Sequence, residues 1–420
     1  MRQDSVGDRA SDSGEETKVN AEAAPSDGVQ GEAVSGAVVE SADSYRSPLL
    51  DLPGAVIGEG IDEAVAEHYG GPFPEQRALE DGRAFTDLSH TDVVVVTGAD
   101  RLKLINLLST QLVDTLPPGS STELMTLSPT GHIESAVGLF DDGEAAWVLA
   151  DVGLGQPFVD FLLSMRFMMR VEAEVRADLA VLGGYSRAGE DLRAVALHGA
   201  GDLPVLWEDP WPDTAQASAT YGPVDAEHPA YRSRRYLAVV AGEELSRAAA
   251  ELAERGLQPA GMAAWEATRV GQWRPRPATE VVERALPHEL DWLRTAVHLH
   301  KGCYRGQETV AKLVNLGRPP RRLTLLYLEG PADELPARGD VVKLGERAVG
   351  VVTSAVRHFE DGPLALALLR RNAATDAVVS IGNFQASQQE IVTPEGKSSA
   401  SPADRPGHEL RGHHPGPSGR

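Results

Sequence analysis

The chain has 420 residues, 42% of them hydrophobic, more than one core of about 250–300 residues usually serves, so at least two packed units are expected. Its 39 basic residues against 62 acidic ones give a formal charge of −23, which argues against general nucleic-acid binding through phosphate contacts. The longest apolar runs, such as Val93 to Val96 and Leu364 to Leu369, fall far below the ~20 residues of a membrane span, and the single cysteine, Cys303, excludes an internal disulfide or a four-cysteine metal cage.

Residues 1–46 carry ten acids, four bases and one aromatic, too little apolar surface to offset the entropy of ordering, and they lack the apolar core of a signal peptide. They read as a disordered acidic arm on a cytoplasmic protein. Val93 to Thr97 reads as a strand, and Asp100 caps a helix with Leu102, Ile105, Leu108 and Leu112 on one face, stopped by Pro117-Pro118-Gly119. Strands follow at Glu123 to Leu127, Ile133 to Phe140 and Ala145 to Ala150, then a helix from Gln156 to Met168 and a strand from Val171 to Ala180. This order is that of a split βαβ sandwich and defines a first α+β unit, 47–185.

A second such unit, 186–320, is marked by a strand at Tyr236 to Val240 and helices at Glu243 to Arg255 and Met262 to Arg269. After Pro319-Pro320 five short strands separated by glycines predict a small β-barrel over 321–388. From Gln389 prolines break every period, and 389–420 reads as a disordered tail. Removing the arm's −6 and the tail's zero from −23 leaves −17, so acidity belongs to the folded body.

Within that acidic body Arg294 to Arg322 holds seven Lys or Arg and one acid, Glu308. The segment Lys301-Gly302-Cys303-Tyr304-Arg305-Gly306-Gln307-Glu308 places two glycines four apart and brackets the thiol with cations, which favour thiolate. Two readings stand on residues alone: an anion-accepting pocket edge with a reactive thiol, or a buried small cysteine flanked by turn glycines. His298, His300 and Cys303 have a spacing that suits a Zn or Fe ligand set. No G-x-S-x-G elbow, P-loop or G-x-G-x-x-G is present.

Lys301 to Glu308 resembles the K-G-C-[FY]-x-G-Q-E signature of the YgfZ proteins, a branch of the folate-binding superfamily that includes the glycine-cleavage T protein. Asp87-Leu88-Ser89-His90 with Gly98 and Asp100, Arg166 to Val171, Pro287-His288-Glu289-Leu290 and Val349 to Ser354 fit the same pattern. The resemblance implies a three-part cloverleaf ring of two α+β units and a barrel around a channel for tetrahydrofolate or a one-carbon derivative. It implies a role in assembling or maintaining iron–sulfur proteins, including enzymes that modify tRNA. The partners it implies are folate and iron–sulfur client or assembly proteins, with no membrane and no direct nucleic-acid contact. Cys303 takes the catalytic place. Lys301, Gly302, Tyr304, Arg305, Gly306, Gln307 and Glu308 are expected to bind the cofactor, with Lys301, Arg305 and Arg318 drawing in its anionic tail. Where the T protein carries G-x-x-D-D, this chain has Gly131-His132-Ile133-Glu134-Ser135, so Glu134 is the candidate to meet the pterin. Arg269 matches a channel-lining arginine, although Gly271 replaces the glutamate that usually follows. The alternatives are a folate-dependent one-carbon transferase of the T-protein type and an interaction scaffold with a vestigial channel.

Overall fold

The computed structural model describes residues 45–402, so the expected arm falls outside the described residues apart from Tyr45 and Arg46. A ribbon of β1 (Val56–Ile57) and β2 (Ala66–His68) leads through α1 (Pro72–Glu80) to β3 (Ala84–Asp87). There follow β4 (Asp92–Thr97), α2 (Arg101–Leu108), β5 (Ser120–Leu127), β6 (Ile133–Asp141), β7 (Ala145–Ala150), α3 (Gly155–Met165) and β8 (Glu172–Val175). Five of these strands form an antiparallel sheet in the order β5-β6-β7-β4-β8. Successive side chains of a strand point to opposite faces, so the valine run of β4 serves two cores. Val94 and Val96 pack with Leu104 and Ile105 of α2 and Phe158 and Leu162 of α3, whereas Val93 and Val95 join Trp147, Leu149 and the second sheet.

The second sheet is built from β9 (Leu179–Tyr185), β10 (Leu206–Glu208), β11 (Arg235–Ala241) and β12 (Gln258–Ala260) together with β3, in the order β10-β11-β9-β3-β12. All its pairings are antiparallel except β12 with β3. Helices α4 (Ala188–Val195) and α5 (Leu245–Glu254) cover its outer face, and α6 (Met262–Gly271) brings Met262 and Trp265 to its inner one. Two expectations are corrected here. The single strand foreseen over 171–180 is two, β8 and β9, one in each sheet, with a turn between them in which the Leu179 amide donates to the Arg176 carbonyl at 3.3 Å. The unit boundary foreseen at 185/186 therefore cuts a sheet to which β3 and β9 already belong.

Short helices α7 (Pro277–Glu280) and α8 (Leu293–Ala296) and the longer α9 (Gln307–Asn315) precede a closed barrel. Its strands are β13 (Arg321–Glu329), β14 (Val341–Leu344), β15 (Arg347–His358), β16 (Gly362–Arg370), β17 (Val379–Ile381) and β18 (Phe384–Glu390), closed in the order β13-β16-β15-β14-β17-β18. The sixth strand and its sequel correct the expected limit at 388. β18 reads Phe-Gln-Ala-Ser-Gln-Gln-Glu and buries only Phe384 and Ala386 in the barrel interior, so its apolar signal is thin. Beyond it Ile391 and Val392 are buried, the Thr393 amide donates to the Tyr221 carbonyl at 2.9 Å, and the Ser399 amide to that of Thr220 at 2.8 Å.

Candidate functional site

The sequence-predicted segment folds as a loop that enters α9, and its neighbours explain its composition. Gly306 has φ +82, and a Cβ there would stand 2.6 Å from the Ser128 carbonyl oxygen and 3.0 Å from the Cα of Gly131. Gly131, also at positive φ, lies against the Thr309 side chain, whose Cβ a Cβ at 131 would meet at 2.7 Å. The loop before β6 and the start of α9 thus meet backbone to backbone, which brings Glu134 to Arg305 at 2.9 Å. Tyr304 is buried in one cluster with Leu127, Ile133, Val310 and Leu323, and burial raises its hydroxyl pKa. It anchors the loop to the barrel side of the core. Gly302 differs from Gly306, since a Cβ there meets nothing within 4 Å.

Two of the three cations expected to serve an anion, Lys301 and Arg305, already have partners within the protein. The Lys301 ammonium donates to the carbonyls of Asn106, Ser109 and Gln111 at 2.5, 2.8 and 2.7 Å, closing the C-terminal end of α2, where the helix dipole favours positive charge. Burial pulls its pKa down to about 8. Arg305 pairs with Glu134 and lies 5.8 Å from the Phe161 ring centroid. Gln307 reaches the Lys301 carbonyl at 3.5 Å, and exposed Glu308 occupies the first turn of α9, where its charge suits the helix N-terminus. Cys303 is a free, exposed thiol. Among the described residues no group of three or more His, Cys, Asp or Glu is placed to hold a metal ion, the His298, His300 and Cys303 spacing included.

A second constellation lies between the inner faces of the two sheets and α6, in a cavity of about 100 Å³ that does not count Cys303 among its lining residues. Leu88, Leu149, Leu237 and Met262 give it apolar walls, and Trp207, Trp265 and Trp292 give it flat aromatic ones. Its arginines are held by buried acids. Arg274 bonds Asp209 at 3.0 Å and the Glu123 carboxylate, and Arg235 bonds Asp209 at 2.6 Å. Arg276 joins Asp151 and Asp62, at 3.0 and 2.8 Å. Burial alone would raise the Asp151 carboxyl, yet Arg276 holds it below the ordinary carboxylate range. Asp62, paired with His90 and Arg276, is lowered against burial in the same way.

Arg269 does line this cavity, but all five of its N–H groups are used. They go to Glu266 (3.0 and 2.6 Å), the Arg274 carbonyl (2.8 Å), Glu280 (2.8 Å) and Ser354 (2.9 Å), and the side chain is buried, so its part is to hold the wall rather than a ligand. Left without a hydrogen-bond acceptor are the Arg235 Nε, the Arg274 Nη1 and the Trp292 Nε1, all buried on lining residues. Sequence reasoning passed over these three. The signal that could have found two cavity arginines is Arg274-Pro275-Arg276-Pro277, an extended alternation that sets two cations on one side of the chain. A larger cleft of about 900 Å³, between the β1–α1 region and the barrel, shares Met262, Glu266 and Arg276 with the cavity and carries Arg338 and Arg357.

Comparison with known proteins follows this architecture. Residues 321–395 match the family model of the CAF17 C-terminal β-barrel domain. The tRNA-modifying protein YgfZ of Yersinia enterocolitica is 26% identical over 318 residues, 74% of this chain and 92% of that one. A putative chloroplastic transferase of Arabidopsis thaliana is 34% identical over 137 residues, 31% of this chain, and the match spans only 28% of that relative's length. Among solved structures, the glycine cleavage system aminomethyltransferase T from Bartonella henselae superposes with a TM-score of 0.65 at 18% identity, covering 83% of this chain and 97% of that one, which shows the shared fold. The chain is thus similar to the YgfZ proteins over nearly their full length, carries a CAF17-type C-terminal barrel and has the fold of the glycine-cleavage T protein.

Proposed function

We infer that the protein is a folate-binding member of the YgfZ family that supports the assembly or maintenance of iron–sulfur proteins, including enzymes that modify tRNA, as the name of its Yersinia relatives suggests. The observation that carries the reading is the set of unanswered donors in the cavity. Each buried N–H without an acceptor costs about 1–3 kcal/mol, and the Arg235 Nε, Arg274 Nη1 and Trp292 Nε1 face that cost together. A ligand that carries hydrogen-bond acceptors relieves it, in a pocket whose Trp207, Trp265 and Trp292 rings are already flanked by Arg235 and Arg274. Tetrahydrofolate or a one-carbon derivative carries such acceptors, and the adjoining cleft that shares Met262, Glu266 and Arg276 supplies the larger volume. Arg235, Arg274 and Trp292 would hold the folate ring, and Arg338 and Arg357 in the adjoining cleft suit its glutamate tail. The cofactor, when bound, supplies the means to carry a one-carbon unit.

The chain's own groups favour binding over aminomethyl transfer. Glu134, which stands where the T protein has its Asp pair, is tied to Arg305 and is not among the residues of the cavity wall. The exposed thiol of Cys303 is open to a client or an iron–sulfur assembly partner. No helix among the described residues is long and apolar enough to cross a membrane, and we place the protein, with its free thiol, in the reducing cytoplasm.

Calorimetric titration with tetrahydrofolate tests the reading, with saturable binding expected and at least a tenfold loss in an Arg274→Gln variant. Absence of binding overturns it. Incubation with tetrahydrofolate and an aminomethyl or N-methyl donor is expected to yield no methylene-tetrahydrofolate, and steady turnover would favour the transferase alternative. Gene deletion followed by assay of iron–sulfur enzymes and methylthiolated tRNA, complemented by wild type but not by Cys303→Ala, tests the cellular role.

A further inference from the structure

The cavity and the exposed thiol do not share a lining, yet buried polar groups join them without a gap. At the cavity end Arg274 donates to one oxygen of Glu123 and leaves its Nη1 unanswered. The other Glu123 oxygen accepts from the Thr295 hydroxyl at 2.6 Å. The Thr295 carbonyl accepts from the Gln111 side-chain amide at 2.8 Å, and the Gln111 carbonyl accepts from the Lys301 ammonium at 2.7 Å. Cys303 follows two residues later. Arg274, Glu123, Thr295, Gln111 and Lys301 are all buried, so no link competes with bulk water, and each would leave a polar group stranded if it broke.

The two ends differ in how firmly they are packed. Residues 296–299 are clipped by the Thr110 hydroxyl on the Ala296 carbonyl (2.5 Å), the Ser218 hydroxyl on the Val297 carbonyl (2.6 Å) and the Leu299 amide on the Ala217 carbonyl (2.8 Å). Between Lys301 and Tyr304, by contrast, Gly302 and Cys303 are exposed, and a Cβ at 302 meets nothing. The loop therefore hangs from two anchors, and the Lys301 anchor is the one that reaches the cavity.

We propose that Glu123, Thr295 and Gln111 are positioning residues that tie the Cys303 loop to the cavity, so that a ligand acceptor on Arg274 changes how readily the thiol reacts. The inference rests on the reading of the cavity as a folate site. An acceptor on the Arg274 Nη1 draws the guanidinium toward the ligand and loosens its hold on Glu123, whose carboxylate then bears more on Thr295. The segment from Thr295 to Lys301 tightens, and the loop samples fewer open arrangements.

Because the full chain has one cysteine, its alkylation by iodoacetamide reports on this loop alone. Saturating tetrahydrofolate is expected to slow alkylation at least threefold. Thr295→Val is expected to abolish that response while the calorimetric Kd stays within about threefold of wild type, and Thr295→Ser to restore it. Gln111→Leu, farther from the cavity, repeats the test should Thr295→Val fold poorly by circular dichroism. Without ligand, Glu123→Gln is expected to shift the alkylation rate at least threefold, and Thr324→Val, buried in the barrel, to leave it unchanged. Tetrahydrofolate binding with an unaltered alkylation rate overturns the tie and spares the folate reading. If no binding is seen, the folate reading fails, and equal ligand-free rates in wild type, Glu123→Gln and Thr295→Val overturn the tie as well.

Discussion

Gly302 and Gly306 occupy the same motif, four residues apart, and the structure gives them opposite roles. At Gly306 the left-handed backbone costs an L-residue about 1–2 kcal/mol, and the Cβ of alanine would press on the Ser128 carbonyl and the Gly131 Cα, backbone atoms that cannot rotate away. Relieving contacts of 2.6 and 3.0 Å requires the start of α9 to part from the loop before β6, so Gly306→Ala is expected to destabilise by about 3 kcal/mol in all. With an unfolding entropy of about 2.1 cal/mol/K per residue, that is a fall of about 4 °C in Tm for a body of this size. Gly302→Ala meets no atom and needs no special backbone, so it is expected within about 0.5 kcal/mol of wild type, or slightly above it through a stiffer unfolded chain. Differential scanning calorimetry of the two variants side by side is the assay. Equal melting temperatures, or the larger loss at 302, would refute the packing argument.

Three further outcomes follow from named contacts. His288 is fully buried, and burial holds its pKa down to about 4 against 6.5 in the unfolded chain. The unfolded state binds more protons between these values, so urea midpoints should fall as pH drops below about 6.5, with about 2 kcal/mol lost at pH 5, and His288→Phe should flatten that dependence. Lys301→Met strands three carbonyls at the end of α2 and is expected to lower the urea-derived stability by about 2–4 kcal/mol, equally at low and high salt because the site is buried. The Arg305–Glu134 pair is 39% and 38% exposed, so a double-mutant cycle to alanine should return a coupling of only about 0.2–1 kcal/mol that shrinks with added salt.

Local sequence determined those parts of this protein whose signal is periodic or steric. Val93 to Val96 was legible as a strand, although only the tertiary structure shows that its alternate residues fill two different cores. The glycines of the Lys301 to Glu308 motif announced a close approach or a sharp turn, and Gly306 makes both while Gly302 makes neither against a neighbour. The barrel was legible to its fifth strand. β18 escaped because a strand that buries only Phe384 and Ala386 carries a weak apolar pattern, and its pairing with β13 and β17 is a matter of distant partners. The site divides in the same way. That Lys301 would meet three carbonyls of the α2 terminus, that Arg305 would meet Glu134 across 171 positions, and that Arg269 would be fully answered by the wall are facts of long-range proximity. Charge in a sequence shows that a cation exists; whether it faces a ligand depends on which carboxylates and carbonyls the fold brings within hydrogen-bonding reach. The same holds for the Arg235, Arg274 and Trp292 donors, whose lack of partners arises only when two sheets and a helix close around them.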